Sequence, residues 1–248
     1  HRSADWLRDR ERDLLPVEYF HVVFTLPEEL RALVLQNQRA LYGLLFQAAW
    51  KTLSKLAADK RHLGANIGAL MVLHTWGQNL MHHPHVHCIV PGGGIAVDDD
   101  GKWMSCRNGF LLPVAVLRRL FRRLFLDGLV RLKVRGELVF AGQLHELGDD
   151  DIFYALIRGL RHKEWVVYAK RPFGGPAQVL RYLARYTHRV AISNARLVSL
   201  ADGKVSFRYK DYRCGQESKM MTLDAAEFLR RYLLHVVPKG FQRVRYVG

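Results

Sequence analysis

The stretch His82-His83-Pro84-His85-Val86-His87-Cys88-Ile89-Val90-Pro91-Gly92-Gly93-Gly94 constrains this chain more than any other. It opens on four histidines within six residues, runs into a short apolar segment and stops at Pro-Gly-Gly-Gly. Side chains alternate along a strand, so His83, His85 and His87 share one face, while Val86, Cys88 and Val90 point to the other, as a core requires. Histidines at i and i+2 bring imidazole nitrogens close together, which is the arrangement of a metal site. A plain histidine-rich surface strand is the competing reading, but four histidines at this density rarely serve packing. His82 has the opposite parity and reads as structural, and His83 as a neighbour of the site or a ligand-facing group.

The 248 residues suffice for one large or two small domains with a real core, and the 49% hydrophobic content is that of a globular chain. No apolar run reaches membrane-spanning length, and no signal peptide opens the chain. The start, His1-Arg2-Ser3-Ala4-Asp5, reads as mid-protein sequence, so both ends are expected to be cut from a longer chain. Residues 1–15 read as a helical connector from a missing N-terminal region, ended by Pro16, and 16–248 as the functional domain. Cys88, Cys106 and Cys214 are dispersed and odd in number, which fits a reducing, cytoplasmic setting and supplies no metal-binding pair. The excess of 38 Lys+Arg over 23 Asp+Glu gives a net charge of +15, and such a balance points to a polyanionic partner, most often nucleic acid.

Along the chain, Tyr19 to Leu26 is aromatic and β-branched and predicts a buried strand. Pro27-Glu28-Glu29 opens a long helical pattern to Lys60-Arg61, with a break expected near Gln36-Asn37. Ile67 to Trp76 predicts a second strand. If it pairs antiparallel with the histidine strand, His74 faces His85 and His87, and Gln78 in the connection is the alternative third ligand. Asp98-Asp99-Asp100-Gly101 predicts a hairpin turn rather than a metal site. A helix follows Pro113, with Arg118, Arg119, Arg122 and Arg123 on its solvated face. Asp149 to Asp151 cap another helix, Trp165 to Ala169 predict a strand, and Asp202-Gly203 joins a hairpin. A helix over Leu223 to His235 and a basic tail close the chain.

Gly174-Gly175-Pro176 starts a further helix. At 100° per residue Val179, Leu180, Leu183, Thr187 and Val190 form its buried stripe, and Tyr182 and Tyr186 stack one turn apart beside Arg185 and Arg189. Tyrosines on a helix are more often packing residues; here the arginines and the histidine strand favour nucleophiles. A phenol, with a pKa of about 10, attacks a phosphate only when a nearby cation lowers that value and a metal activates the phosphate. The resulting phosphotyrosine keeps the bond energy for rejoining, which suits cutting and resealing DNA.

His85-Val86-His87 is the His-hydrophobic-His motif of the HUH endonucleases, and within them the chain resembles the rolling-circle insertion-sequence transposases with two catalytic tyrosines. The resemblance rests on Tyr19 to Pro27, on His83 to His87 with Pro91 to Gly94, and on Tyr182 to Arg189. Phe207 to Tyr212 and Val237 to Phe241 extend it over nearly the whole chain. It implies an α+β fold with a central, mainly antiparallel sheet flanked by helices, and 16–248 as the nuclease domain, without the upstream zinc-binding segment usual in the family. It further implies His85 and His87 as metal ligands, and the facing-strand argument prefers His74 over Gln78 as the third. Tyr182 and Tyr186 are the implied nucleophiles, and magnesium or manganese the implied ion, although imidazoles by affinity suit zinc, nickel or copper. The expected partner is single-stranded DNA at transposon ends and target, in a bacterial cytoplasm and on the nucleoid when bound. Lys170, Arg171, Arg185, Arg189, Lys210 and Arg213 are the candidate phosphate contacts. Two other readings are a histidine-triad nucleotide hydrolase, from the alternating histidines alone, and a DNA-binding module that never cleaves.

Overall fold

The computed structural model describes residues 14–99, 101–170, 178, 191–211 and 217–248. The expected connector over 1–15 lies almost wholly outside these residues, as does the tyrosine helix with Tyr182, Tyr186, Arg185 and Arg189. Arg171, Arg213 and Asp100 also lie outside them.

The first half of the chain gives β1 (Tyr19–Thr25), α1 (Arg31–Gln36), α2 (Gln38–Ala58), β2 (Ala65–Asn66), β3 (Ala69–Trp76), β4 (His82–Pro91), β5 (Gly93–Ala96) and β6 (Trp103–Ser105). The second half gives α3 (Val114–Val134), α4 (Asp150–His162), β7 (Val167–Lys170), β8 (Leu197–Ala201), β9 (Lys204–Asp211), β10 (Glu217–Asp224), α5 (Ala225–Leu233) and β11 (Val244–Val247).

The main sheet runs in the order β11-β3-β4-β1-β7, and each neighbouring pair is antiparallel. Its parity divides the two faces. Phe20, Val22 and Phe24 of β1, Met71 and Leu73 of β3, and Val86, Cys88 and Val90 of β4 are buried in the main core. Leu41, Leu45 and Leu53 of α2 and Phe121 and Phe125 of α3 belong to the same core. Burying such apolar side chains is the main drive for the fold, each contributing roughly 1.5–3 kcal/mol. The histidines of β4 with odd numbers fall on the other face, away from this helix layer. This is the α+β architecture, an antiparallel sheet with helices against it, that the sequence predicts.

Local chemistry sets the element ends. The break between α1 and α2 falls at Asn37, where the backbone leaves helical geometry (φ −118°, ψ 41°). Its side chain stitches the break down: Nδ2 donates to the Leu33 and Val139 carbonyls at 3.1 and 3.0 Å, and Oδ1 accepts from Val139 N–H at 2.7 Å. Asp149 caps α4 by accepting from the Asp151 and Ile152 amides at 2.9 and 3.2 Å. Asp202 and Gly203 both have positive φ, 50° and 70°, as a two-residue hairpin turn demands. The basic face of α3 is partly engaged: Arg118 pairs with Glu164, and Arg122 donates to the Lys163 carbonyl.

The glycine run after β4 does more than stop a strand. The chain bends at Gly92 and continues as β5 into a separate small sheet, β2-β5-β6. A Cβ on Gly94 would stand 2.1 Å from the Asn66 carbonyl oxygen of β2, so only glycine fits there.

Three elements differ from the sequence-based reading. The predicted strand from Ile67 starts at Ala69, because Ala65–Asn66 pairs with β5 instead. β10 was not foreseen; it completes a second three-stranded sheet, β10-β9-β8. The basic tail contributes β11, which pairs with β3 and closes that edge of the main sheet. Among the described residues, no helix is long and apolar enough to cross a membrane.

Candidate metal centre

β3 and β4 are antiparallel neighbours with His74 directly opposite His85. His87 lies two residues further along β4, on the same face. The rings converge: centroids lie 5.5 Å apart for His74–His85, 4.5 Å for His74–His87 and 4.8 Å for His85–His87. One nitrogen from each comes within 4.8 Å of the other two. Nitrogens bound to one tetrahedral ion at about 2.05 Å lie roughly 3.3 Å apart, so small rotations of the rings would close the triad on a metal. The donor set and its spacing therefore fit a divalent ion. His74 and His87 are buried and His85 only half-buried, which opens the site on the His85 side.

The surroundings fix which nitrogen each ring offers. His85 Nδ1 lies 2.6 Å from the His83 carbonyl oxygen. A carbonyl can only accept, so Nδ1 carries the proton and Nε2 the lone pair. Burial, followed by the charge of His83, pushes the His85 pKa down to about 4, against the opposing hydrogen bond to the His83 carbonyl. The ring is thus neutral at physiological pH, the form that binds a metal. In the second ligand, His87 Nδ1 lies 2.7 Å from His21 Nε2 on β1, so Nε2 is the nitrogen His87 has to offer a metal. The third, His74, lies against Trp76, with ring centroids 4.7 Å apart and planes within 16°. As residues i and i+2 of β3 the two share a face, and a register irregularity in the β3–β4 pairing falls between them.

The remaining histidines of the motif separate as parity predicts. His82 turns to the helix side, is 1% exposed, and its Nε2 lies 2.9 Å from the Tyr42 hydroxyl on α2. His83 is exposed and engages the site through its carbonyl. Gln78 sits in the β3–β4 connection, where its backbone carbonyl accepts from Arg196. Of the candidate phosphate contacts, Lys210 is exposed on β9 and Lys170 ends β7. Arg171, Arg185, Arg189 and Arg213, like both tyrosines, fall outside the described residues.

Two residues at the site escaped the sequence reading. His21 sits within a strand that reads simply as buried; its odd parity against Phe20, Val22 and Phe24 was the available signal, but not that β1 lies beside β4. Trp76 reads as the end of a strand, and nothing local marks it as packing on a ligand.

A family model described as "Putative transposase" matches residues 68–248. The chain is 57% identical over 245 residues to "Putative transposase y4qJ" of Sinorhizobium fredii, covering 99% of this chain and 61% of that protein. It is 31% identical over 247 residues to the transposase for insertion sequence element IS801 of Pseudomonas savastanoi pv. phaseolicola, covering 99% of this chain and 57% of that protein. The chain thus spans about 60% of the length of these relatives. Among solved structures it is similar to the conjugative relaxase TrwC in complex with oriT DNA. The metal-free form gives a TM-score of 0.38 at 15% identity over 67% of this chain and 71% of that one. The metal-bound form gives 0.37 at 14% identity over 67% and 69%.

Proposed function

The chain belongs to the transposase family matched by its residues 68–248, and from that premise we propose that it nicks and rejoins single-stranded DNA through a 5′-phosphotyrosine link, the chemistry of rolling-circle transposition. The observation that carries the proposal is the convergence of His74, His85 and His87 on the sheet face opposite the helix layer. In this reading those three imidazoles hold a divalent ion, magnesium or manganese in function. A divalent ion held there supplies Lewis-acid polarisation of a phosphate oxygen and offsets the charge that builds during in-line displacement.

The chain's own groups do the rest. The His83 carbonyl and His21 orient two of the ligands. Tyr182 and Tyr186 are the nucleophiles, and Arg185 and Arg189, close to them in the sequence, favour the phenolate. The phenolate oxygen attacks phosphorus, the bond from phosphorus to the 3′ oxygen breaks, and the departing 3′ oxygen takes up a proton to become a hydroxyl. Rejoining reverses the step: a 3′-hydroxyl attacks the phosphotyrosine and the phenol is regenerated. Two tyrosines let one strand stay attached while a second is cut. Lys170, Arg171, Lys210 and Arg213 contact the phosphates, in keeping with the net charge of +15. A bacterial cytoplasm, at the nucleoid, is the setting this activity requires.

The deciding experiment incubates the chain with single-stranded oligonucleotides carrying transposon ends and Mn2+, and resolves covalent adducts by denaturing electrophoresis. Tyr182→Phe and Tyr186→Phe each remove one class of adduct, and the double variant forms none. Adducts from the double variant would overturn the tyrosine assignment. Salt-sensitive binding without any adduct would leave a DNA-binding module, and chelator-resistant hydrolysis of a nucleoside phosphoramidate would favour the histidine-triad reading.

A further inference from the structure

The metal ligands sit on both sides of one tight connection, Gly77–Met81, with His74 before it and His85 after it. This connection closes on itself: Gly77 N–H donates to Met81 O at 3.0 Å, and Met81 N–H to Asn79 Oδ1 at 3.2 Å. It is also held from outside. Three successive backbone carbonyls, those of Gln78, Asn79 and Leu80, accept from Arg196, Arg231 and His235. Arg196 precedes β8, Arg231 lies on α5, and His235 follows it, so all three come from the unit built of β8–β10 and α5. Leu80 has an unusual positive φ of 60° and is fully buried in that unit's own core with Ala191, Ile192 and Phe207. A leucine in the left-handed region is strained, and burial of its side chain in this second core offsets the strain.

His235 is the hub of the contact. Its Nε2 donates to the Leu80 carbonyl at 3.1 Å, so its Nδ1, 3.3 Å from Thr75 Oγ1, accepts the Thr75 hydroxyl proton. Its ring meets Trp76 edge-on at 5.9 Å and lies parallel to His82 at 6.4 Å. Trp76 in turn packs on His74. Contacts therefore run without a gap from the C-terminal unit to a metal-facing ring.

We propose that Arg196, Arg231 and His235 form a clamp by which the C-terminal unit sets the spacing of His74 and His85, making them positioning residues of the metal centre. The inference rests on the metal-binding reading of the triad. The clamp fixes the connected ends of β3 and β4, beside the irregularity that follows the His74–His85 pair. Loosening it lets the two ligands drift apart while the main core stays intact. Affinity for the ion is the direct readout, because partners that orient metal ligands typically carry about 10–100-fold in affinity.

The test measures Mn2+ affinity by isothermal titration calorimetry on the chain and on Arg231→Met, His235→Leu and Thr75→Val. Arg231→Lys and His235→Gln serve as conservative partners, since each keeps a donor for its carbonyl, and His74→Ala is the ligand-loss control. The expected result is Mn2+ binding weaker by about tenfold in the three disruptive variants, restored toward wild type in the conservative ones. Thr75→Val removes a single hydrogen bond at nearly constant shape, so it remains informative if the larger changes unfold the unit. Affinity within about twofold of wild type in folded disruptive variants, with binding lost in His74→Ala, overturns the clamp and leaves the metal centre standing. Absence of Mn2+ binding by the unaltered chain overturns the metal reading itself, and the clamp with it.

Discussion

His21 Nε2 lies 2.7 Å from His87 Nδ1, and the two imidazole planes are within 6° of each other. The 5.0 Å between centroids is close to the nitrogen–nitrogen distance plus two ring radii, so the rings meet edge to edge in one plane and do not stack face to face. Such a hydrogen bond locks both the orientation and the tautomer of His87. His21→Leu is expected to weaken metal binding by about 10–100-fold, while His21→Gln, which retains a group able to accept from Nδ1, loses less. Calorimetric titration with Mn2+ checks this, and equal losses in both variants would refute the tautomer account.

Replacing any one of His74, His85 and His87 with alanine removes a third of the donor set. A ligand in a protein metal site is worth about 3 kcal/mol on the scale of structural zinc sites, so each change should cost roughly 100-fold in affinity. Circular dichroism should show an unchanged fold, since these side chains lie off the main core. A variant that binds Mn2+ as well as the parent would remove that residue from the ligand set.

The parity of the histidine strand, the break at Asn37, the cap at Asp149 and the turn at Asp202-Gly203 were legible in the sequence because each depends on neighbours a few residues away. The opposition of His74 and His85 was legible too, since a short connection makes antiparallel pairing of β3 and β4 the natural outcome. What stayed hidden was long-range. That β1 lies beside β4, bringing His21 to His87, follows from sheet order, which no local pattern encodes. β11 was hidden in a basic tail in which Lys239, Arg243 and Arg245 dominate, yet Arg245 packs over the Phe46 ring at 4.1 Å and the strand pairs with β3. The grip of Arg196, Arg231 and His235 on residues 78–80 joins positions more than a hundred residues apart.

His82 gives a pH dependence whose sign follows from its burial. Desolvation, followed by the charges of His235, Arg31 and His83, pushes its pKa down to about 3 in the folded chain, against about 6.5 when unfolded. Below pH 6.5 the unfolded chain therefore binds a proton that the folded chain refuses, and stability falls as pH falls toward 3. Its contribution is fully present above pH 6.5. A loss on the order of 2 kcal/mol between pH 6.5 and 4 is expected from this group. Melting temperatures across that range should drop less steeply in His82→Gln, and identical slopes would show that His82 does not carry the effect.

Asn37→Ala leaves the Val139 N–H and C=O without the side chain that satisfies both. Val139 is 59% exposed, so water replaces part of what is lost, and the expected cost is about 0.5–1.5 kcal/mol. Urea denaturation should show a lower midpoint at unchanged slope. Asn37→Asp keeps the acceptor for Val139 N–H but sets a carboxylate oxygen against the Leu33 and Val139 carbonyls, so it should lose at least as much as the alanine variant.

Strand β11 carries a consequence for the order in which the molecule is made. It fills the edge of β3, the strand that bears His74, and its backbone continues that pairing at Arg243, whose carbonyl accepts from Leu73 N–H at 2.8 Å. On the ribosome β1, β3 and β4 emerge before the partner that seals β3, Val244–Val247. From the emergence of β4 until that of β11 the nascent chain therefore carries an open strand edge beside its future ligands, a place where another chain can pair. That edge closes only once Val244–Val247 is made, so the histidine cluster gains its finished frame after the other strands of the main sheet.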